Sequence, residues 1–466
     1  MDIIKNNQNN NNNELILEFV DDYYDMLIFK RNNIYNIEAA IQSPVIFRGN
    51  SKGTVFDYNN DYYGNIDINF DEKKGTLVRY ENIIFKNYNP SSQHRVGIAT
   101  VISHNDDFHL QFYNCTFINI IVNTLVVHIN PTNMYFVEPQ ILFDKCNFYN
   151  NTDIAISVVH ENIYLKNISD IYKYFTIKFS FCKFIDNDFY FEYYNNGYIF
   201  DNCYFSNPIN NIQYQLFLPL AKSKNGNILK ITNSVFENIY IKSPYPLILA
   251  DGLDLELKNT TFVNCFSDYG YLFDINKNYE QFNISVEDST FTNTSSILTG
   301  DNNHIEISNS IFKNIISEKS IPAISNSRRS NIKIKNTEFN NLKLSKGLFN
   351  EESTYEFNNI KFYNIISNSK SILYFIYNDV ILNNIEFNNI TSIGDNSDAS
   401  FILYDSSENK GKIEINKLNG NNSLSNGSFI KIIGNSNSII INNSSINNII
   451  SYGPVIKVSS EKVIII

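Results

Sequence analysis

The stretch Leu110–Ile120 reads LQFYNCTFINI, and nearly the same phrase returns as LKITNSVFENI at Leu229–Ile239 and IEISNSIFKNI at Ile305–Ile315. Aligned on its Phe, the phrase gives a column of Phe85, Phe117, Phe148, Phe184, Phe205, Phe236, Phe262, Phe291, Phe312, Phe339, Phe362 and Phe387. Two weaker copies place Gly420 and Ile446 in the Phe position. The step between copies varies from 21 residues (Phe184 to Phe205) to 36 (Phe148 to Phe184), while the phrase itself does not change. A coil with two tight corners and a third of free length behaves this way. A repeat of this period specifies a solenoid, because one unit cannot bury its apolar face without a neighbour.

Within the phrase, Leu110 and Phe112 alternate with Gln111, and Cys115 and Phe117 alternate with Thr116, which is the two-residue period of a strand. Parity breaks at Tyr113–Asn114, so the chain must bend there to keep both apolar sets inside. Asn suits the bend because it tolerates left-handed backbone angles. The bend column is Asn82, Asn114, Asn202, Asn233, Asn259, Asn309, Asn336, Asn359, Asn384 and Asn443; Asp288 substitutes once, and Lys145, Phe181 and Lys417 depart from it. A second Asn column, including Asn87, Asn119, Asn150, Asn207, Asn238 and Asn314, follows the Phe by two residues.

Short strands joined by such bends predict an all-β, single-stranded, right-handed parallel β-helix with about 14 regular coils, Asn ladders at its corners and a Phe stack inside. A leucine-rich repeat is the alternative. Its Asn falls three residues after the second strand apolar, whereas in Ile332–Leu342 (IKIKNTEFNNL) it falls two after, and no helix-forming stretch follows.

The expected organisation is a disordered Asn-rich leader over 1–13, an N-terminal cap with opening coils over 14–75, and the regular helix over 76–466. Leu15–Phe29 is the expected cap, which a bare parallel edge requires. The start MDIIKNNQNNNNNEL has no apolar signal-peptide core, and the end on Ile464–Ile466 without a polar cap reads as a truncation or a docking end capable of end-to-end self-association. Net charge is −11, the chain has six arginines and no basic stripe, so phosphate-based nucleic-acid binding is not expected. No apolar run is long enough to span a membrane.

Cys115, Cys146, Cys182 and Cys203 occupy one slot, two before the Phe, in four successive coils; Ser234, Thr260, Ser289, Ser310 and Thr337 fill it later. Four sulfurs in a line cannot surround a zinc ion tetrahedrally. A buried thiol stack is the reading, with neighbour disulfides as the alternative.

One constellation bears on chemistry. Asp251, Asp274 and Asp301 fall at or near the ends of third strands in three consecutive coils, with His304 close by and Arg328–Arg329 one coil on. If the acids align, the row binds a cation, raises a carboxylate pKa, or splays into water. The low-complexity leader, Asp106–Asp107 with His109, His128, His160 and the Tyr190–Tyr194 cluster read as surface or structural features, the tyrosines with some capacity to stack on sugars.

The repeat resembles the pectin-lyase-like β-helix superfamily. The order Asp251, Asp274, His304, Arg328 is similar to that of its galacturonan hydrolases, but their Asn-x-Asp, Asp-Asp, Gly-His-Gly and Arg-x-Lys motifs are missing. The Cys or Ser two before the Phe resembles the repeats of polymorphic outer-membrane proteins. The phrase SPVIFRGNSKGTVFDYNND at Ser43–Asp61 is similar to secreted, scaffoldin-like β-helix proteins of anaerobic gut fungi. The resemblance implies a non-catalytic, secreted or surface scaffold or adhesion module that meets polysaccharide or other surface proteins and needs no cofactor. A polysaccharide hydrolase or lyase is the alternative, with Asp251, Asp274, Asp301, His304 and Arg328 as its candidate residues.

Overall fold

The computed structural model describes residues 14–70, 75–90, 97–103, 107–121, 124–129, 138–154, 156–160, 175–189, 197–207, 227–249, 253–275, 281–317, 319–394, 399–434, 436–459 and 464–465. The chain forms two compact units, Met1–Lys242 with Gly252–Asp254, and Ser243–Asp251 with Leu255–Ile466. Each is a parallel β-helix.

In the first unit, the strand Phe108–Tyr113 lies between Thr76–Glu81 and Ile141–Asp144, parallel to both, with Leu110 opposite Val78 and Ile141. Past the bend, Thr116–Ile118 sets Phe117 opposite Phe85 and Phe148. A third strand, Leu125–Ile129, pairs in parallel with Ala99–Ser103 and Ile156–His160. In-register coils place like side chains over like, about 4.8 Å apart. The rings of Phe85, Phe117, Phe148, Phe184, Phe205 and Phe236 accordingly stack with centroids 4.3–5.2 Å apart and planes within 16°. A second column, Tyr80, Phe112, Phe143, Phe179 and Phe200, stands beside it with its own spacings of 4.7–5.1 Å. The two columns meet edge to face, as Phe117 and Phe143 do at 5.9 Å and 66°.

The second unit repeats the pattern with Phe262, Phe291, Phe312, Phe339 and Phe362 at 4.8–5.3 Å. Phe387, Gly420 and Ile446 continue the register. The strands Asn331–Leu344 and Thr354–Ser367 run unbroken through the bend.

The stretch expected to cap the helix is itself a coil. Leu15–Glu18, Tyr23–Asp25 and Asn36–Ala40 pair in parallel with the three strands of the next coil, and Tyr24 and Phe56 extend the Phe85 column. A short helix, Leu27–Arg31, connects the second and third strands of this coil. Its Phe29 ring fills the space beside Gly64, at φ +80°, where a Cβ would collide with it. The leader over 1–13 lies outside the described residues.

Every bend-column residue has φ between 48° and 61°, including the departures Lys145 (56°), Phe181 (53°) and Lys417 (61°). Backbone geometry is therefore imposed by the coil, and Asn is the residue that meets it at least cost. The amides form one-directional ladders. Asn114 Nδ2 donates to Asn82 Oδ1 at 2.7 Å in the first unit; Asn336 donates to Asn309 at 3.0 Å and Asn341 to Asn314 at 2.7 Å in the second. Asn309 itself donates to Asp288 at 3.1 Å, and Asn233 to Asp201 at 3.0 Å.

Asn207 departs from its expected column. It belongs with Asn151 and Asn187 in a buried ladder, donating to the Asn187 carbonyl at 2.7 Å, while Asn151 donates to Asn187 Oδ1 at 2.8 Å. The corner after Phe205 is one residue shorter than those after Phe148 and Phe184, so position two after the Phe takes the inner place that position three holds elsewhere.

The five cysteines are free and buried. Cys115, Cys146, Cys182 and Cys203 each point the thiol at a carbonyl of the preceding coil, those of Tyr80, Phe112, Phe143 and Phe179, at 3.3–3.5 Å. Where serine fills the slot, its hydroxyl accepts from the backbone N–H of the preceding coil and donates to a carbonyl two residues back, as Ser289 does toward Thr260 and Glu287.

Candidate functional site

The third strands of the second unit carry the acidic residues. Tyr271–Asp274 pairs with Ser296–Thr299, which pairs with Ser325–Asn326. The register stacks Leu249, Asp274, Thr299 and Asn326. Asp274 and Asp301 are therefore not members of one carboxylate row. Asp301 lies two residues beyond Thr299, past Gly300, whose φ of 131° turns the chain and whose missing Cβ leaves room for the Ile275 carbonyl. Asp251 lies outside the described residues.

Asp274 and Asp301 nevertheless face one cavity of about 450 Å³, together with Tyr269, Arg328, Lys346, Glu351 and Glu352. Asp274 is only 9% exposed and accepts a 2.8 Å hydrogen bond from the Tyr269 hydroxyl. Burial, and then this carboxylate, push the Tyr269 hydroxyl above the ordinary phenol range, so it remains a donor. Asp301 is held by Arg328: its Oδ2 receives Nη2 at 2.9 Å and Nε at 3.1 Å, and its Oδ1 receives the Arg328 backbone N–H at 3.0 Å. That hydrogen bond raises the Arg328 guanidinium pKa further. Lys346 stands 3.6 Å from Glu351. The floor is fixed by Asn350, which donates to Asn326 Oδ1 at 2.9 Å and accepts from the Glu352 N–H at 3.0 Å.

His304 does not line this cavity. It lies on the strand His304–Ser308, opposite Asn283 and Asn331, with Nε2 3.0 Å from Glu306 Oε1. The sequence reading thus brings Asp274, Asp301 and Arg328 together and misplaces His304; it misses Tyr269, Lys346, Glu351 and Glu352. Tyr269 had a signal in the YGY turn ahead of the Asp274 strand, since such a turn folds its side chain back over the strand that follows.

Chemically, four carboxylates face two cations. Of the three acids nominated for catalysis, the two that are described are each committed, Asp274 to a phenol and Asp301 to a guanidinium. Among the described residues, no group of three or more His, Cys, Asp or Glu side chains is placed to hold a metal ion. Among the same residues no helix is long and apolar enough to cross a membrane. His109 holds the Pro139 carbonyl at 3.3 Å, as a structural residue does. The Tyr190–Tyr194 cluster lies outside the described residues.

No protein-family model matches this chain, and no curated protein matches it. Among solved structures it is similar to the PL6 family alginate lyase AlyGC, at 8% identity and a TM-score of 0.20, and to a point mutant of that enzyme, at 8% identity and 0.22; each comparison covers 99% of both chains. A likeness at that level says nothing of what this chain does.

Proposed function

We propose that the chain is a non-catalytic β-helix module that presents its lateral surface to partners, as a scaffold or adhesive element placed outside the cell or on its surface. The observation that supports this is the commitment of Asp274 and Asp301, the two nominated acids among the described residues. General acid–base work needs a carboxyl group that exchanges its proton with substrate. Asp301 is paired with the Arg328 guanidinium through Oδ2 and accepts the Arg328 backbone N–H through Oδ1, and Asp274 is buried against Tyr269. A rigid stack of in-register coils suits display, since side chains on its outer face keep fixed spacings.

A second reading has one observation in its favour: Asp274, Asp301 and Arg328 share a cavity. It makes the chain a polysaccharide hydrolase or lyase. Incubation with pectin, xylan and alginate, followed by assay of reducing ends and unsaturated uronates, separates the two. The module reading expects no release. Release that disappears in Asp274→Asn overturns it.

A further inference from the structure

Two departures from the repeat fall in one coil of the second unit. Lys417 replaces the bend Asn, and Gly420 replaces the column Phe. Gly420 lies opposite Phe387, and a Cβ there would run into both the carbonyl and the ring of Phe387. The Phe387 ring also meets Phe401 at 46° and Phe429 at 44°, both outside the Phe column. Lys417 and Gly420 both line a groove of about 810 Å³.

The groove crosses five coils, a length on the order of 20 Å at one strand spacing per coil. Two outward columns line it in register: Asn340, Tyr363, Asn388 and Asn421 in one, Glu386 and Asn419 in the other. Corner amides such as Asn384 and Asn389 are spent on the coil before. Here, among the described residues, no hydrogen bond engages the Asn419 amide, the Asn388 and Asn421 amide nitrogens or the Lys417 ammonium. Tyr363 presents a ring one coil in from Asn340, with burial and then the nearby Glu386 carboxylate pushing its hydroxyl above the ordinary phenol range.

We infer that this groove binds a neutral, extended glycan chain. An aromatic face with planar amide donors, one ammonium and one carboxylate is suited to hydroxyl-rich rings. The two charges cancel, so the groove has no excess of cations to favour a uronate. The spacing points the same way. A pyranose ring advances an extended chain by roughly one coil step of about 4.8 Å, so successive rings keep pace with the coils and meet Tyr363, Asn388 and Asn421 in turn. Same-face side chains of an extended peptide repeat at about 6.6 Å and fall out of step.

This inference names the partner of the module reading and rests on it. Calorimetric titration of the full chain with cellohexaose, xylohexaose and hexagalacturonate tests it. Binding is expected for at least one neutral hexaose, with little dependence on salt, and weaker for the uronate. Tyr363→Ala and Asn421→Ala each lower that affinity about threefold to tenfold, with melting temperatures checked to show that both variants fold. Absence of binding by both neutral hexaoses, preference for the uronate, or unchanged affinity in both variants overturns the inference. The module reading survives those outcomes, because it falls only to depolymerisation.

Discussion

Asn384 Nδ2 donates to Asn359 Oδ1 at 2.8 Å, and both residues hold left-handed backbone angles, φ 53° and 58°. Asn359 in turn donates to Asn336 at 2.9 Å. One residue type thus answers two demands, a bend that an ordinary side chain resists and an amide that bridges coils. The two are separable. Asn359→Ala removes the amide and places a Cβ in the left-handed region, with an expected cost of about 2 kcal/mol. Asn359→Gly removes the amide but relieves the backbone, and is expected to cost less than the alanine variant. Denaturant midpoints of the two variants give the comparison; equal losses would mean that the backbone angle contributes nothing.

Phe181 reverses the experiment. It sits in the bend column at φ 53° and is 56% exposed, so neither its conformation nor its surroundings favour an aromatic side chain. Phe181→Asn supplies a residue that tolerates the angle and brings an amide to the corner between Lys145 and Asn202. A stabilisation of about 1 kcal/mol is expected, seen as a raised melting temperature. A lowered melting temperature would show that the exposed ring packs more usefully than its accessibility indicates.

The cysteine column makes a chemical prediction. Cys146 and Cys203 are buried, and burial pushes both thiols well above the ordinary thiol range. Each donates to a carbonyl of the preceding coil. Native protein is expected to leave all five thiols unmodified by iodoacetamide, and denatured protein to expose five. Cys146→Ser is expected to fold with a loss of under about 1.5 kcal/mol, since Ser289 and Ser310 occupy equivalent places with the hydroxyl bonded to a carbonyl. Rapid native alkylation of Cys146 would contradict the closed interior.

The coils were legible in the sequence where local chemistry dictates geometry. Asn114 and Phe117 announce a bend and an inward ring because few other residues serve there as well. The reading failed where loops of free length intervene. The chain between Phe262 and Asp274 holds a turn that the next coil lacks, so counting from the Phe column cannot say that Asp274 stacks on Thr299. Gly300 was the available sign, since a glycine just before Asp301 marks a corner rather than a strand. Asn207 misled for the same reason, a single residue lost at one corner. Lys417 and Gly420 were visible as departures, yet the groove that they line depends on residues of five coils that the sequence does not bring together.

Asp201 sets a pH dependence in the first unit. Its Oδ1 accepts from Thr232 Oγ1 at 2.9 Å, Asn233 Nδ2 at 3.0 Å and Asn202 Nδ2 at 3.1 Å, and Lys178 Nζ lies 3.6 Å from Oδ2. Burial alone would raise its pKa; the hydrogen bonds from Asn233 and Thr232, with the Lys178 charge, outweigh it and leave the group below its usual 3.8. A carboxylate depressed in the folded state binds its proton more weakly there than in the unfolded chain. Its contribution is therefore fully present above the unfolded pKa and is lost as pH falls through the folded one. Asp201→Asn keeps an acceptor of the same shape and deletes the charge. The melting temperatures of the two proteins are expected to differ most above about pH 5 and to converge toward about pH 2, with the native chain the more stable at the upper end. A difference that stays constant across that window would mean that the three donors hold a neutral acceptor as well as a charged one, and that the charge on Asp201 plays no part in closing the corner.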